Sequence, residues 1–336
     1  MPRNKLFPTT SIAGWRILLQ WGFLLWCLFL GVQFWLFVDH YQSGASGPGY
    51  VRPPGVEGFL PIGALMSFKA WLLSGETDPV HPAALVVFVS ILLMSLLAKK
   101  SFCSWLCPVG TLSEALWKAG MRLFGRSFRP WLWLDLVLRS LKYLLLLFFV
   151  KIIWIDMPLP AIQAFLRSPY WAVSDIRMLH FFSELSLLAI IILAGLVVLS
   201  LLVQNPWCRY LCPYGALLGL LSMLSPLKIK RNPSICTNCK NCQRHCPARL
   251  PVAEKPVIRS AECNGCQTCV DHCPEAGALS MALLQRVPLS RPTFALIALA
   301  LFACGIGFGM FSGHWQTLLS DADFQRLIPL AGQFSH

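Results

Sequence analysis

Residues Cys236–Pro247 read C-T-N-C-K-N-C-Q-R-H-C-P, and residues Cys263–Pro274 read C-N-G-C-Q-T-C-V-D-H-C-P. Both are C-x2-C-x2-C-x3-C-P, and the second begins 27 residues after the first. Three cysteines at two-residue gaps wrap one loop around three corners of an iron–sulfur cubane, with the intervening backbone amides pointing at the sulfurs. The fourth corner needs a thiolate from outside that loop, and a second copy of the run supplies one. Zinc sites also use C-x2-C, but a zinc ribbon has no use for a third cysteine two residues on, nor for the closing C-P.

This is the ligand spacing of a two-cluster bacterial ferredoxin, in which the last cysteine of each run serves the other cluster. The expected ligand sets are therefore Cys236, Cys239, Cys242 and Cys273 for one [4Fe–4S] cluster, and Cys263, Cys266, Cys269 and Cys246 for the other. Pro247 and Pro274 fix the turn after each distal cysteine. Such centres carry one electron at a time, so the chain is expected to move electrons.

Outward from these runs the chain changes character. Over 336 residues it is 56% hydrophobic and only 13% charged, whereas soluble domains run nearer a quarter charged. Five apolar stretches are expected to span a bilayer: Ile17–Val38, Pro82–Ala98, Leu132–Ile155, Leu185–Val203 and Phe294–Phe311. The first is too long for a removed signal and lacks a small-residue cleavage site, so it reads as a retained anchor. The expected fold is mainly α: a polytopic membrane protein of about five transmembrane helices in two parallel repeats, with an inserted cytoplasmic two-cluster ferredoxin-like domain. The divisions are 1–130 for the first membrane repeat, 131–226 for the second, 227–290 for the dicluster domain, and 291–336 for the last span and tail.

The net charge of +13 does not read as nucleic-acid binding, because the basic residues follow the spans instead of forming one stripe. Arg3, Lys5 and Arg16 precede or open the first span, and Lys99, Lys100, Lys118, Arg122, Arg126 and Arg129 follow the second. Residues 204–290 are richest, while 40–79 carry only Arg52 and Lys69, and 156–180 only Arg167 and Arg177. That alternation predicts a bacterial inner-membrane protein with its N-terminus and clusters cytoplasmic and its C-terminus periplasmic. A reducing cytoplasm also suits cysteines kept as metal ligands.

A shorter duplication lies within the membrane part. Phe102–Leu112 read F-C-S-W-L-C-P-V-G-T-L, and Trp207–Leu217 read W-C-R-Y-L-C-P-Y-G-A-L. Each C-x3-C-P follows an inward-running span, which points to two parallel repeats meeting at a shared site. Cysteines four apart share a helical face, and a following Pro opens a new helix whose N-terminus favours negative charge. Cys103, Cys107, Cys208 and Cys212 thus form a candidate redox or metal quartet: a further metal or iron–sulfur centre, a copper(I) site or a thiol–disulfide switch. Buried structural cysteine is the plainer alternative, and it is how Cys27 and Cys304 read.

With both C-x3-C-P motifs, the tandem runs and the intervening spans in place, residues 80–280 resemble the membrane-bound polyferredoxin-like proteins related to NapH, the quinol dehydrogenase subunit of periplasmic nitrate reductase systems, and the C-terminal half of NosR. The resemblance implies electron passage between the quinone pool, cytoplasmic clusters and a periplasmic acceptor, with a redox partner protein still to be identified. Two departures stand out. A fifth span follows the dicluster segment, and there is no large periplasmic domain, so no flavin is expected. No C-x2-C-H occurs, so c-type haem is not expected either. The alternative function is copper or redox handling by the C-x3-C-P thiols with the clusters as electron source; a third is a tethering subunit whose clusters are structural.

Three weaker signals remain. Phe59–Leu73 is apolar but too short to span, so it reads as a re-entrant or interfacial helix that either roofs a quinone pocket or lies on the membrane surface. His40, His81, His180 and His314 fall at the outer ends of spans, where quinol chemistry needs a proton acceptor, though polar residues are ordinary there. Asp135, Arg139 and Lys142 share one face of the third span, and intramembrane charges mark either function or snorkelling.

Overall fold

A computed structural model describes residues 12–44, 49–128 and 130–333. Arg3, Lys5 and Arg129, expected to mark the inner face, and the last three residues of the tail lie outside the described residues. The helices are α1 (Ile12–Gln42), α2 (Pro61–Ser74), α3 (Pro82–Ala98), α4 (Ser101–Trp105), α5 (Pro108–Phe124), α6 (Leu132–Val150), α7 (Leu159–Leu166), α8 (Pro169–Ala172), α9 (Ser174–Ser183), α10 (Leu187–Leu202) and α11 (Pro213–Ser222). Then come β1 (Leu227–Arg231), α12 (Asn241–Arg244), α13 (Thr268–Asp271), β2 (Leu279–Leu283), β3 (Val287–Leu289), α14 (Arg291–Phe311) and α15 (Asp321–Leu327). Wide π turns occupy Lys151–Asp156 and Trp207–Leu211.

Each expected span has a helix at its place, but their lengths differ. Gly14–Gln42 and Pro292–Phe311 are each long and apolar enough to cross a membrane. The expected fourth span is shorter, because Ser186 Oγ accepts the amide of Ala189 and starts α10 late. Ahead of it, α9 meets α10 at a 77° bend. α3 is apolar but only 17 residues long. Large apolar side chains stand exposed along these helices, including Leu25, Trp26 and Phe29 on α1, Leu147 and Phe148 on α6, Leu188 and Ile191 on α10, and Phe308 on α14. Faces this apolar are not kept in water by soluble proteins. Cys304, expected as a packing residue, is exposed on α14, and Cys27 is half-buried.

The chain divides into two compact units built from interleaved segments. Unit 1 takes the described residues of 1–24 together with Ile91–Leu146 and Leu196–Phe302; unit 2 takes Leu25–Ser90, Leu147–Gly195 and the described residues of 303–336. The chain passes from one to the other five times, always inside a helix: α1, α3, α6, α10 and α14. By sequence, the segments of unit 1 hold 22 of the 28 Lys and Arg but six of the 15 Asp and Glu; those of unit 2 hold six and nine.

Unit 2 is a helical core with a buried ionic cluster. Arg52 donates to Glu57 Oε1 at 2.7 Å and to Asp175 Oδ2 at 2.6 Å, and His81 contacts Arg52 Nη2 at 3.1 Å and the carbonyl of Trp171 at 2.8 Å. All four ionisable groups are buried, so the pairing offsets their desolvation. Of the four histidines singled out above, His81 is the buried one; His40 and His180 are half-buried and His314 is exposed. The Phe59–Leu73 stretch forms α2, which packs on α7 with Met66 and Ala70 in an apolar core. Lys69 lies on its buried face, donating to the carbonyls of Ile153, Trp154 and Met157. The cavity at the end of α2 has a mixed lining, with Glu76, Asp78, Gln163 and Arg167 beside Ala70, Pro79 and Leu166.

In unit 1 the dicluster segment folds back on itself. β1, before the first cysteine run, pairs antiparallel with β2, after the second, placing Ile229 opposite Met281; β3 completes the order β1-β2-β3. Ile229 and Met281 are both buried. This pairing closes the loop that brings the two runs together.

Candidate iron–sulfur centres

The two cysteine runs share a backbone. Asn238 and Gly265 have φ of 55° and 65°, and Lys240 and Gln267 both have 57°. These left-handed residues sit between the cysteines and reverse the amide direction within each loop, the device by which successive N–H groups form an anion cradle. At Gly265 a side chain would also be tight, since a Cβ would lie 3.1 Å from the Phe294 ring. Each run then makes one helical turn, α12 or α13, closed by a histidine. His245 Nδ1 donates to the Asn241 carbonyl at 2.9 Å, and His272 Nδ1 to that of Thr268 at 3.0 Å. The two imidazoles stack at 4.0 Å, and Asn241 Nδ2 donates to the His272 carbonyl.

Cys236, Cys239, Cys242 and Cys273 line one cavity together with Arg231. Cys246, Cys263, Cys266 and Cys269 line a second together with Gln267. The second quartet is buried throughout, whereas in the first Cys239 is exposed and Cys236 and Cys273 are half-buried. The thiols differ accordingly. The Arg231 guanidinium holds the Cys236 pKa below its ordinary value, while burial pushes Cys246 up to about 12 and raises Cys263 and Cys269.

The C-x3-C-P motifs build a third quartet. Cys103 is on α4 and Cys208 on the Trp207–Leu211 turn, and the second cysteine of each pair caps the helix that follows. Cys107 Sγ accepts from Gly110 N at 3.5 Å at the start of α5, and Cys212 Sγ from Gly215 N at 3.2 Å at the start of α11. Cys-Pro-x-Gly is thus cap, first turn and donor in one, and the helix N-terminus favours a thiolate there. A Cβ at Gly110 would fall 2.5 Å from the Cys103 carbonyl oxygen. The four thiols are electrostatic neighbours: Cys208 feels Cys107, Cys212 and Cys103, and burial lifts Cys103 to about 12.

Hydrogen bonds tie this quartet to the inner ferredoxin-type one. Ser104 Oγ donates to the Asn264 carbonyl at 2.7 Å and Trp105 Nε1 to that of Gly265 at 3.3 Å, both in the loop between Cys263 and Cys266. Arg209, between Cys208 and Cys212, donates to the carbonyl of Ala248, two residues past Cys246. The charged face of α6 holds the assembly. Asp135 accepts from Arg209 twice at 2.8 Å, from Tyr210 at 2.7 Å and from Arg139. Lys142 donates to both oxygens of Glu262 at 2.7 Å, next to Cys263. Snorkelling does not describe a Lys142 with no exposed surface.

The residues fit an anionic iron–sulfur group. Lys99 is fully buried, its Nζ has no hydrogen-bond partner among the described residues, and Cys263 is the neighbour that favours its charge. Arg231 Nε on one cavity wall and Gln267 Nε2 on the other are buried donors with no partner among the described residues. Lys100, also buried, lies near Cys103, Cys208 and Cys263. Buried cations and donors without acceptors are costly, and thiolates with bridging sulfide are the acceptors such a site takes. Sequence reasoning gave Lys99 and Lys100 to the aqueous face; their position beside F-C-S-W-L-C-P was the available signal for another role.

Comparison with known proteins bears on the same residues. The family described as "4Fe-4S binding domain" matches residues 80–129 and 185–232, the two C-x3-C-P repeats. The family described as "4Fe-4S dicluster domain" matches 228–276. Across 333 residues the chain is 42% identical to "Putative electron transport protein YccM" of Escherichia coli (strain K12), covering 97% of this chain and 93% of that one. The chain belongs to the YccM family. More distant relatives include "Methylamine utilization ferredoxin-type protein MauN" of Paracoccus denitrificans, 30% identical over 70% of this chain and 78% of its own. "Ferredoxin-type protein NapH" of Escherichia coli is 26% identical over 59% and 76%. The YccM likeness, unlike the NapH one, runs through nearly the whole chain. No solved structure matches it.

Proposed function

We propose that this YccM-family protein is a membrane electron-transfer protein whose three cysteine quartets form a line: the C-x3-C-P quartet, then Cys246, Cys263, Cys266 and Cys269, then Cys236, Cys239, Cys242 and Cys273. Each ferredoxin-type quartet holds a [4Fe–4S] cluster, and the C-x3-C-P quartet holds a further iron–sulfur centre. A bound cluster supplies one-electron chemistry. The protein residues fix spacing and charge: Asp135 and Glu262 hold the loops in place, and Lys99 and Lys100 offset the thiolates.

The observation that carries this reading is the set of hydrogen bonds from Ser104, Trp105 and Arg209 to the loops of the inner quartet. The excess of basic residues in the segments of unit 1, and the passage of the chain through five helices, support a five-span topology with the clusters on the cytoplasmic side. The likeness to relatives named as electron transport and ferredoxin-type proteins supports electron transfer, and the quinone pool is the end proposed for the membrane side of the line. The test uses the full chain in nanodiscs, anaerobically, with a quinol analogue and electron paramagnetic resonance. Reduction of the ferredoxin-type centres is expected, and the Cys103→Ala/Cys208→Ala pair abolishes it while dithionite still reduces them. Unchanged quinol reduction in that pair contradicts the line.

A further inference from the structure

The two ferredoxin-type runs share a backbone but not a surface, and the difference marks a docking site. Lys240 and Gln267 occupy equivalent left-handed positions, yet Lys240 is exposed on the wall of the outer cavity and Gln267 is buried. Four residues on, Arg244 is exposed where the other run has Asp271. Among the described residues neither Lys240 nor Arg244 has an ion-pair partner. Arg231 reaches the same cavity, where Glu275 is the acidic residue. Across residues 227–290 there are nine Lys and Arg to four Asp and Glu, and one of the four, Glu262, is held by Lys142. The exposed cysteine of the pair of quartets, Cys239, lies between these cations in sequence and on the same cavity.

We propose that Lys240, Arg244 and Arg231 around Cys239 form the docking surface for an acidic, soluble one-electron carrier protein. Charge complementarity selects the partner and steers its approach, and the exposed edge is where a second redox protein comes nearest to the line. The proposal rests on the electron-transfer reading above. Its test reads binding alone, so the two fail separately: iron-free wild-type protein sinks the earlier reading, not this one.

The measurement is the Kd of the full chain, in phosphatidylcholine nanodiscs, for an immobilised acidic [2Fe–2S] ferredoxin as probe, at low and high salt, with basic cytochrome c as control. R244E is expected to weaken the ferredoxin Kd at least tenfold at low salt, with iron content and visible spectrum unchanged. Raising the salt should weaken the wild-type Kd similarly. A variant Kd within twofold of wild type, or equal binding of cytochrome c, overturns the proposal. So does a phenotype confined to phosphatidylserine nanodiscs, where the basic side chains hold lipid headgroups and ferredoxin binding is unaffected.

Discussion

The inner and outer quartets are two copies of one loop placed in different surroundings. Both have the same cysteine spacing, the same left-handed residues and the same histidine-closed turn. One is buried against α4 and the first residues of α14, where Phe294 meets Trp105; the other has Cys239 exposed and Arg231 on its wall. Local spacing fixes which metal group can be held, and the packing around it fixes charge, access and potential. That is how a single repeated motif comes to give two quartets in different surroundings, which the proposed function reads as two stations.

The largest contrast is expected from removing ligands. Cys246→Ala opens the buried quartet and leaves thiolates without metal beside the unpartnered Lys99, so both ferredoxin-type centres and proteolytic resistance are lost, because metal binding is folding energy here. Cys239→Ala removes the exposed centre alone, costing about four irons per chain. Iron assay with limited proteolysis checks both. Equal damage from the two variants contradicts the inner–outer distinction.

Charge substitutions come next. Lys99→Met should lower the inner cluster's reduction potential by on the order of 100 mV, the size of a nearby unit charge at an effective dielectric near 20, and leave the outer one in place. Arg231→Gln should lower the outer potential by less, since its cation is partly solvated. Redox titration followed by electron paramagnetic resonance separates them.

Alkylation of the apo-protein sharpens the contrast without metal. Arg231 depresses the Cys236 pKa, so at any given pH its thiolate fraction exceeds that of an ordinary thiol. Cys246, near 12, stays protonated and should react slowly from pH 7 to 9. Mass spectrometry after iodoacetamide should show Cys236 modified at least tenfold faster. The smallest effects are in the backbone. Gly265→Ala should cost about 1–2 kcal/mol by thermal denaturation, from its positive φ and the Phe294 contact. Asn238→Gly at the equivalent position should change stability by less than about 1 kcal/mol.

Much of this was legible in the sequence, for identifiable reasons. Cysteine spacing and helix positions are local patterns, so the helix over Pro82–Ala98 could be read to the residue. The C-x3-C-P repeat was visible too, because cap, Pro and Gly must recur together for the cysteine to open a helix. Long-range partners were not. Asp135 reaches Arg209 and Lys142 reaches Glu262 across more than 70 residues, and no local pattern specifies such pairs. Lys99 and Lys100 read as solvated charges because a lysine next to a span normally is one. The shortening of α10 was missed because Ser186, a capping residue, sat inside an otherwise apolar run.

The most direct test of the line of centres is the iron and acid-labile sulfide content of the anaerobically purified full chain beside the Cys103→Ala/Cys208→Ala variant. Three [4Fe–4S] centres give about twelve irons per chain, falling to about eight in the variant. About eight irons in both proteins would contradict a third centre and break the line at its membrane end.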